Sequence, residues 1–169
     1  IRGTRDDVTT AAWAATRRTC YASHVWNPYF LHGTKTCPFE IVEQLGWKAP
    51  DWVIVPAGSG TLLLGVHAGF LALREQGLID RIPRLAASQS RNCNPLERYV
   101  AGKRPRPARP TLAEGVATAK PPRLEEMARA LPSEPLKAMV PVSVRSESQM
   151  RDYTNRVTQV RQSTASNFD

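Results

Sequence analysis

Residues 50–70 read PDWVIVPAGSGTLLLGVHAGF. An apolar run, Trp52 to Val55, stops at Pro56, and small residues follow: Ala57-Gly58-Ser59-Gly60-Thr61. Apolar sequence resumes at Leu62, and Leu62 to Gln76 is helical in length and content, with Gly77 as a stop. The first run has strand length and, being continuous, reads as a parallel strand buried on both faces. The second has helix length, and its first half is apolar nearly all round, as in a buried helix. Gly65 and Gly69 lie four apart on one helical face, where another backbone can approach closely. Arg84 to Ser88 reads as the next strand, so the stretch is a βαβ unit.

The bare backbone at 57–61 then sits beyond the carboxyl end of a parallel strand, where α/β sheets bind ligands. A helix start presents unpaired N–H groups and a partial positive charge. Glycines let those donors approach an anion, and Ser59 and Thr61 add hydroxyls. The loop suits a phosphate. It has neither the Gly-Lys-Ser/Thr of a Walker loop nor the third glycine of GxGxxG. A tight strand-to-helix turn without a ligand is the competing local reading.

Outward from this unit, Asp6 and Asp7 precede an alanine-rich stretch ending in Arg17-Arg18, which predicts a helix over about 6–20. HVWNPYFLHG, residues 24–33, reads as an aromatic loop. Thr36-Cys37-Pro38 opens a helix with Ile41, Val42 and Leu45 on its apolar face and Gly46 as its stop. Residues 101–110 are rich in Gly, Pro and Arg and read as a loop. Leu124 to Leu131 is a short helix, Leu136 to Arg145 a strand, and Gln159 to Asp169 a polar end.

The 169 residues suffice for a core, and 41% are apolar. No run approaches the roughly 18 apolar residues of a membrane helix, and no signal peptide is visible. The first residue is Ile1, so the chain is expected to begin inside a longer parent sequence. Three cysteines, Cys20, Cys37 and Cys93, without CxxC spacing argue against a disulfide framework or a zinc site and for a cytoplasmic setting. The net charge is +8. Much of it is local, in Lys103-Arg104-Pro105-Arg106-Pro107-Ala108-Arg109. Such a run can bind nucleic acid or an anionic surface, but no stacking aromatics are interleaved and no nucleic-acid motif accompanies it. A solvated basic loop is the simpler reading. GxSxG is missing, which argues against a hydrolase, and the three histidines, His24, His32 and His67, are isolated from one another. His32 is read in a loop and His67 on the apolar helix, both as packing or surface residues. Cys37 and Cys93 read as small buried side chains, and Glu40 and Glu43 as solvated or dipole-facing positions near a helix start.

Residues 27–95, from NPYFLHGTKTCPFEIVEQLGWKAPDWVIVPAGSGTLLLGVHAGF to SRNCNPL, resemble the threonine synthase family of pyridoxal 5′-phosphate (PLP) enzymes, above all its archaeal-type branch. RGTRDD at the start and LAEGVATAKPPR at 112–123 resemble further segments of the family in order. The resemblance implies an α/β fold of the tryptophan synthase β-like type, in part: a parallel sheet with flanking helices. It implies PLP as cofactor, an amino-acid substrate, and elimination or replacement at the β or γ carbon, such as O-phosphohomoserine to threonine. It matches Gly58, Ser59, Gly60 and Thr61 to the loop holding the cofactor phosphate. The family's Schiff-base lysine belongs to a region ahead of anything matched, so no catalytic residue is assigned. Lys35 in GTKT lies in a different motif and reads as structural, and Asn27 as a turn residue. The expected organisation is 1–100, a partial PLP-binding domain; 101–110, the basic loop; 111–131, its continuation; and 132–169, a divergent segment. Around PVSVR that last segment resembles bacterial wax ester synthase/diacylglycerol acyltransferase, without the HHxxxDG motif of acyl transfer. A truncated or fused remnant without activity is the alternative reading. Exposed apolar surface on part of a domain would favour association with a second copy.

Overall fold

The computed structural model describes residue 2, residues 5–132 and residues 139–142. Three parallel strands make its sheet in the order β1-β2-β3: β1 (Trp52–Pro56), β2 (Arg84–Ser90) and β3 (Met139–Val142). The helices are α1 (Arg5–Ala15), α2 (Pro28–Thr34), α3 (Thr36–Gln44), α4 (Thr61–Glu75), α5 (Pro95–Val100) and α6 (Leu124–Arg129), with a 3-10 turn at Glu114–Val116. The β1-α4-β2 unit stands as its residue pattern dictates. β3 falls within the strand expected at Leu136 to Arg145, whose other residues, like the polar end Gln159 to Asp169, lie outside the described ones.

Helix stops are built as glycine chemistry requires. Gly46 and Gly77 have φ of 65° and 70°. Around the first, the Gly46 amide donates to Glu43 O and the Trp47 amide to Val42 O. Around the second, Gly77 donates to Arg74 O and Leu78 to Leu73 O. These are paired bonds of the Schellman type, which satisfy the last helical carbonyls. α1 ends earlier than its charge pattern suggests, at Ala15 rather than near residue 20. The Thr16 hydroxyl donates to Trp13 O and the Thr19 hydroxyl to Ala15 O, drawing the terminal carbonyls away from a continuing helix.

Three expectations are corrected. HVWNPYFLHG is not all loop, since α2 occupies its second half and carries His32. Asn27 caps that helix, its Oδ1 accepting from the Tyr29 amide at 2.9 Å, and Pro28 takes the first helical position. β1 is not buried on both faces: Val55 is buried, but Trp52 is 40% and Ile54 62% exposed. The strand lies at the sheet edge, and only its Val53–Val55 face turns to the core. Cys37 is only half-buried, whereas Cys93 is buried as read.

The core gathers Val42 of α3, Leu63, Val66, Phe70 and Leu73 of α4, Leu85 of β2, Leu96 of α5 and Met127 of α6, all at 2% exposure or less. Full burial of such side chains stabilises by about 1.5–3 kcal/mol each. Gly65 and Gly69 do what their spacing suggests. A Cβ on Gly65 would lie 1.8 Å from Thr34 Oγ1, and one on Gly69 would lie 2.7 Å from Lys35 O. The α2–α3 junction therefore rests directly on the α4 backbone.

Candidate functional site

The main-chain ladder between β1 and β2 ends at the glycine-rich loop. Pro56 pairs with Ser88, and the Ala57 amide donates to Ser88 O at 2.9 Å. There β1 stops while β2 continues to Ser90. The Gln89 side chain takes over: Nε2 donates to Ala57 O at 2.8 Å, and Oε1 accepts from the amides of Leu96 and Glu97 at 3.0 and 3.3 Å. Gln89 is 2% exposed. This buried amide clamps the first carbonyl beyond β1 and the start of α5 together. It carries no motif; its only sequence signal is a long polar residue at the end of an apolar strand.

The chain then turns through Gly58, Ser59 and Gly60 into α4. Gly60 caps the helix with φ 93°. Gly58, Gly60 and Thr61 are buried and Ser59 is half-buried. The first α4 bond is Leu64 N–H to Gly60 O at 2.9 Å, and among the described residues the amides from Gly58 to Leu63 have no protein acceptor. Ser59 Oγ and Thr61 Oγ1 lie 3.0 Å apart, in hydrogen-bond contact. Thr34 Oγ1, which donates to Leu31 O, also reaches Thr61 O at 3.4 Å.

The glycines have a packing role that sequence reading missed. A Cβ on Gly58 would come within 2.9 Å of Val116 Cα, and one on Gly60 within 2.5 Å of Met127 Sδ. Their side-chain faces are thus covered by the 113–131 stretch rather than turned to an open cleft. Of the four loop residues, Ser59 borders a cavity, of about 540 Å³. Tyr21, His24, Trp26, Thr118 and Lys120 line it too. Trp13 organises this aromatic wall, with Tyr21 edge-on at 5.9 Å and Trp26 at 6.0 Å. Lys120 lies in the 112–123 segment, but nothing local in AKPP marks it as a cavity residue.

Lys35, the lysine of GTKT, joins α2 to α3, and its carbonyl packs on Gly69. His32 is exposed. His67 is half-buried on α4, and burial lowers its pKa from the usual histidine range. Burial also pushes the Cys37 thiol up, with Glu40 adding to the effect. Glu40 and Glu43 are exposed, as read. Among the described residues no group of His, Cys, Asp or Glu could hold a metal ion. No helix among them is long and apolar enough to cross a membrane.

A parallel α/β unit with main-chain amides free of protein acceptors among the described residues beyond its first strand, beside a cavity that Lys120 borders, has the general form in which such folds can receive an anion. A family model described as pyridoxal-phosphate dependent enzyme matches residues 2–164, and the chain belongs to that family. It is 45% identical over 76 residues to chloroplastic threonine synthase 2 of Arabidopsis thaliana, covering 45% of this chain and 15% of the plant protein. It is 32% identical over 124 residues to threonine synthase of Methanosarcina acetivorans, covering 70% of this chain and 30% of that protein. The threonine synthase of Methanocaldococcus jannaschii is 33% identical over 97 residues, with 57% and 24% covered. The chain thus spans less than a third of the length of these relatives. The family's cofactor is pyridoxal 5′-phosphate. The loop's chemistry is compatible with its phosphate: among the described residues the donors from Gly58 to Leu63 have no protein acceptor and no carboxylate borders the Ser59 cavity.

Proposed function

We propose that this chain is the phosphate-holding part of a threonine-synthase-type enzyme, which converts O-phosphohomoserine and water to threonine and phosphate. One observation carries the reading: residues Gly58, Gly60 and Thr61 are buried, yet their amides have no acceptor among the described residues. Buried backbone donors are nearly always paired, so such a corner calls for an acceptor. A phosphate supplies several, and the start of α4 favours its negative charge. When bound, pyridoxal 5′-phosphate acts as the electron sink for bonds broken on an amino acid. The protein's part is to hold and orient it. Main-chain amides grip the phosphate, and the Ser59 and Thr61 hydroxyls, already in contact, turn their remaining donor toward it. Lys120 adds positive charge at the cavity wall. Tyr21, His24 and Trp26 narrow the opening and limit water. The three cysteines without motif spacing suit a cytoplasmic setting.

The test compares PLP with pyridoxal, which lacks the phosphate, by equilibrium dialysis against the 169-residue chain. We expect PLP to bind at least about ten-fold more tightly, in line with a few charge-assisted hydrogen bonds. Equal affinities would remove the phosphate-site reading. For the reaction, the intact protein carrying this chain should release inorganic phosphate from O-phosphohomoserine with threonine formed in equal amount. Phosphate release without threonine would overturn the assignment of the reaction.

A further inference from the structure

A second cavity, of about 590 Å³, lies beyond the end of β2. That is ordinary small-molecule size. The apolar side chains of Tyr99, Pro95, Pro105, Pro121 and Leu124 contribute to its walls. Four cations also line it, Arg98, Lys103, Arg106 and Lys120, and among the described residues no Asp or Glu does. None of the four is in an ion pair among the described residues, where the pairs are Arg81–Asp51, Arg123–Glu126 and Arg129–Glu125. Like charges repel, and the nearby Glu97 carboxylate reaches them only through Asn94, whose Nδ2 donates to it, so something more must hold the cations together.

The main chain and two asparagines do so. Arg98 Nε donates to Arg104 O at 2.7 Å. Arg106 Nη2 donates to Asn94 Oδ1 at 2.9 Å and also to Arg91 O. Asn94 is itself buried, at 8% exposure. Gly102, with φ 63°, ends α5, and the Lys103 amide closes that turn on Arg98 O at 2.8 Å. Farther along, the Arg109 amide donates to Asn92 O at 3.0 Å and Asn92 Nδ2 to Pro110 O at 2.6 Å. The basic loop is therefore tied down at both ends, and its cations are organised in advance, which lowers the cost of binding.

From this arrangement we infer a second anion site, separate from the glycine-rich loop. It takes a small phosphorylated molecule with a flat, apolar body, of nucleoside diphosphate size. The cations meet the phosphates, while the Tyr99 ring and the proline faces meet the body. Two of the four basic residues of the 103–109 run line this cavity, so the run is more than a solvated face. That concave, apolar lining favours a small ligand over a duplex.

Lys120 borders both cavities, whereas Lys103 and Arg106 border only this one, so they carry the test. The Lys103 side chain makes no hydrogen bond among the described residues, so Lys103→Gln should leave the fold intact. Calorimetric titrations of the full chain would use ADP, inorganic pyrophosphate and a short DNA duplex as probes. ADP should bind at least about ten-fold more tightly than pyrophosphate, because the walls add apolar contact. Lys103→Gln and Arg106→Gln should each weaken ADP about five- to ten-fold, as expected for a lost charged hydrogen bond. Ser59→Ala should leave ADP affinity unchanged. The inference is overturned if ADP gives no heat at millimolar concentration, or if Lys103→Gln binds ADP as the parent does. It is equally overturned if Ser59→Ala abolishes ADP binding, which would place ADP at the glycine-rich loop. Pyrophosphate binding as tightly as ADP would remove the apolar body. A duplex that displaces ADP and binds more tightly would make the basic loop a nucleic-acid surface.

Discussion

The two turns that leave the carboxyl ends of β1 and β2 are built in opposite ways. After β1 the chain passes through Ala57 to Gly60 into a helix of 15 residues whose core side is almost wholly buried. After β2 it passes through Arg91 to Asn94 into a helix of six residues, and the polypeptide beyond brings cations back over it. The first turn offers main-chain amides and two hydroxyls, with glycines packed under Val116 and Met127. The second offers guanidinium and ammonium groups on a loop that two asparagines tie down, Asn94 through the Arg106 guanidinium and Asn92 through the Pro110 carbonyl. A short helix has little dipole to lend, so charge there must come from side chains. One buried residue, Gln89, bonds to the first turn at Ala57 and to the start of α5 just past the second, and so sets their relative position.

The sharpest way to break the first turn is Gly60→Ala. Its φ of 93° disfavours any Cβ, and that Cβ would run into Met127. Overpacking and strain together should cost about 3 kcal/mol, read as a lower urea midpoint. A midpoint within error of the parent would show that Met127 moves aside freely. Next comes Gln89→Leu, which leaves the Ala57 carbonyl and the Leu96 and Glu97 amides without their partner. We expect a loss of about 2–3 kcal/mol, together with weaker PLP and weaker ADP binding, since both turns depend on it. If only one ligand is affected, the two sites are not joined through Gln89.

Ser59→Ala should barely change stability but weaken PLP by about five-fold, near 1 kcal/mol for one hydrogen bond. Unchanged PLP affinity by dialysis would mean that the hydroxyl faces only Thr61. The smallest effect is expected at His67. Burial lowers its folded pKa below the unfolded value, so its neutral form is favoured in the native state. Its contribution is therefore fully present above the unfolded value of about 6.5 and is lost as pH falls through the lowered folded value. Urea midpoints at pH 8 and pH 5 should converge in His67→Gln relative to the parent. A parent and variant with the same pH dependence would assign it to other groups. Glu126 contributes with the same sign at lower pH: the Arg123 hydrogen bond lowers its carboxyl pKa, though solvent exposure keeps this small.

Local residue patterns made β1, α4 and β2 readable because one segment's apolar run, length and glycine stop agree with one another. The close approach at Gly65 and Gly69 was readable for the same reason: two absent side chains on one helical face leave a groove whatever fills it. The 24–33 stretch misled because its aromatics drew attention from Asn27-Pro28, an ordinary helix start. Trp52–Val55 misled because continuous apolar sequence shows that a strand can be covered, not how many layers cover it. For Gly58 and Gly60, residue type suggested room for an anion, and the structure adds the demand of Val116 and Met127 for the same missing side chains.

By itself, then, the sequence determined the β1-α4-β2 succession, the glycine stops and the small-residue corner, since each depends on residues within a few positions of one another, whereas it left α2 as a loop and α5 unread. Tertiary structure alone decided that Gln89 reaches Ala57 and Leu96, that Lys120 borders Ser59, and that Lys103 and Arg106 share a cavity with Arg98. The farthest-reaching of those juxtapositions, such as Gln89 on Ala57, join segments 32 residues apart or more, and the nearer ones need the chain to fold back on itself. Their positions follow from how the helices and the sheet bury their apolar faces together, and no local pattern encodes that sum.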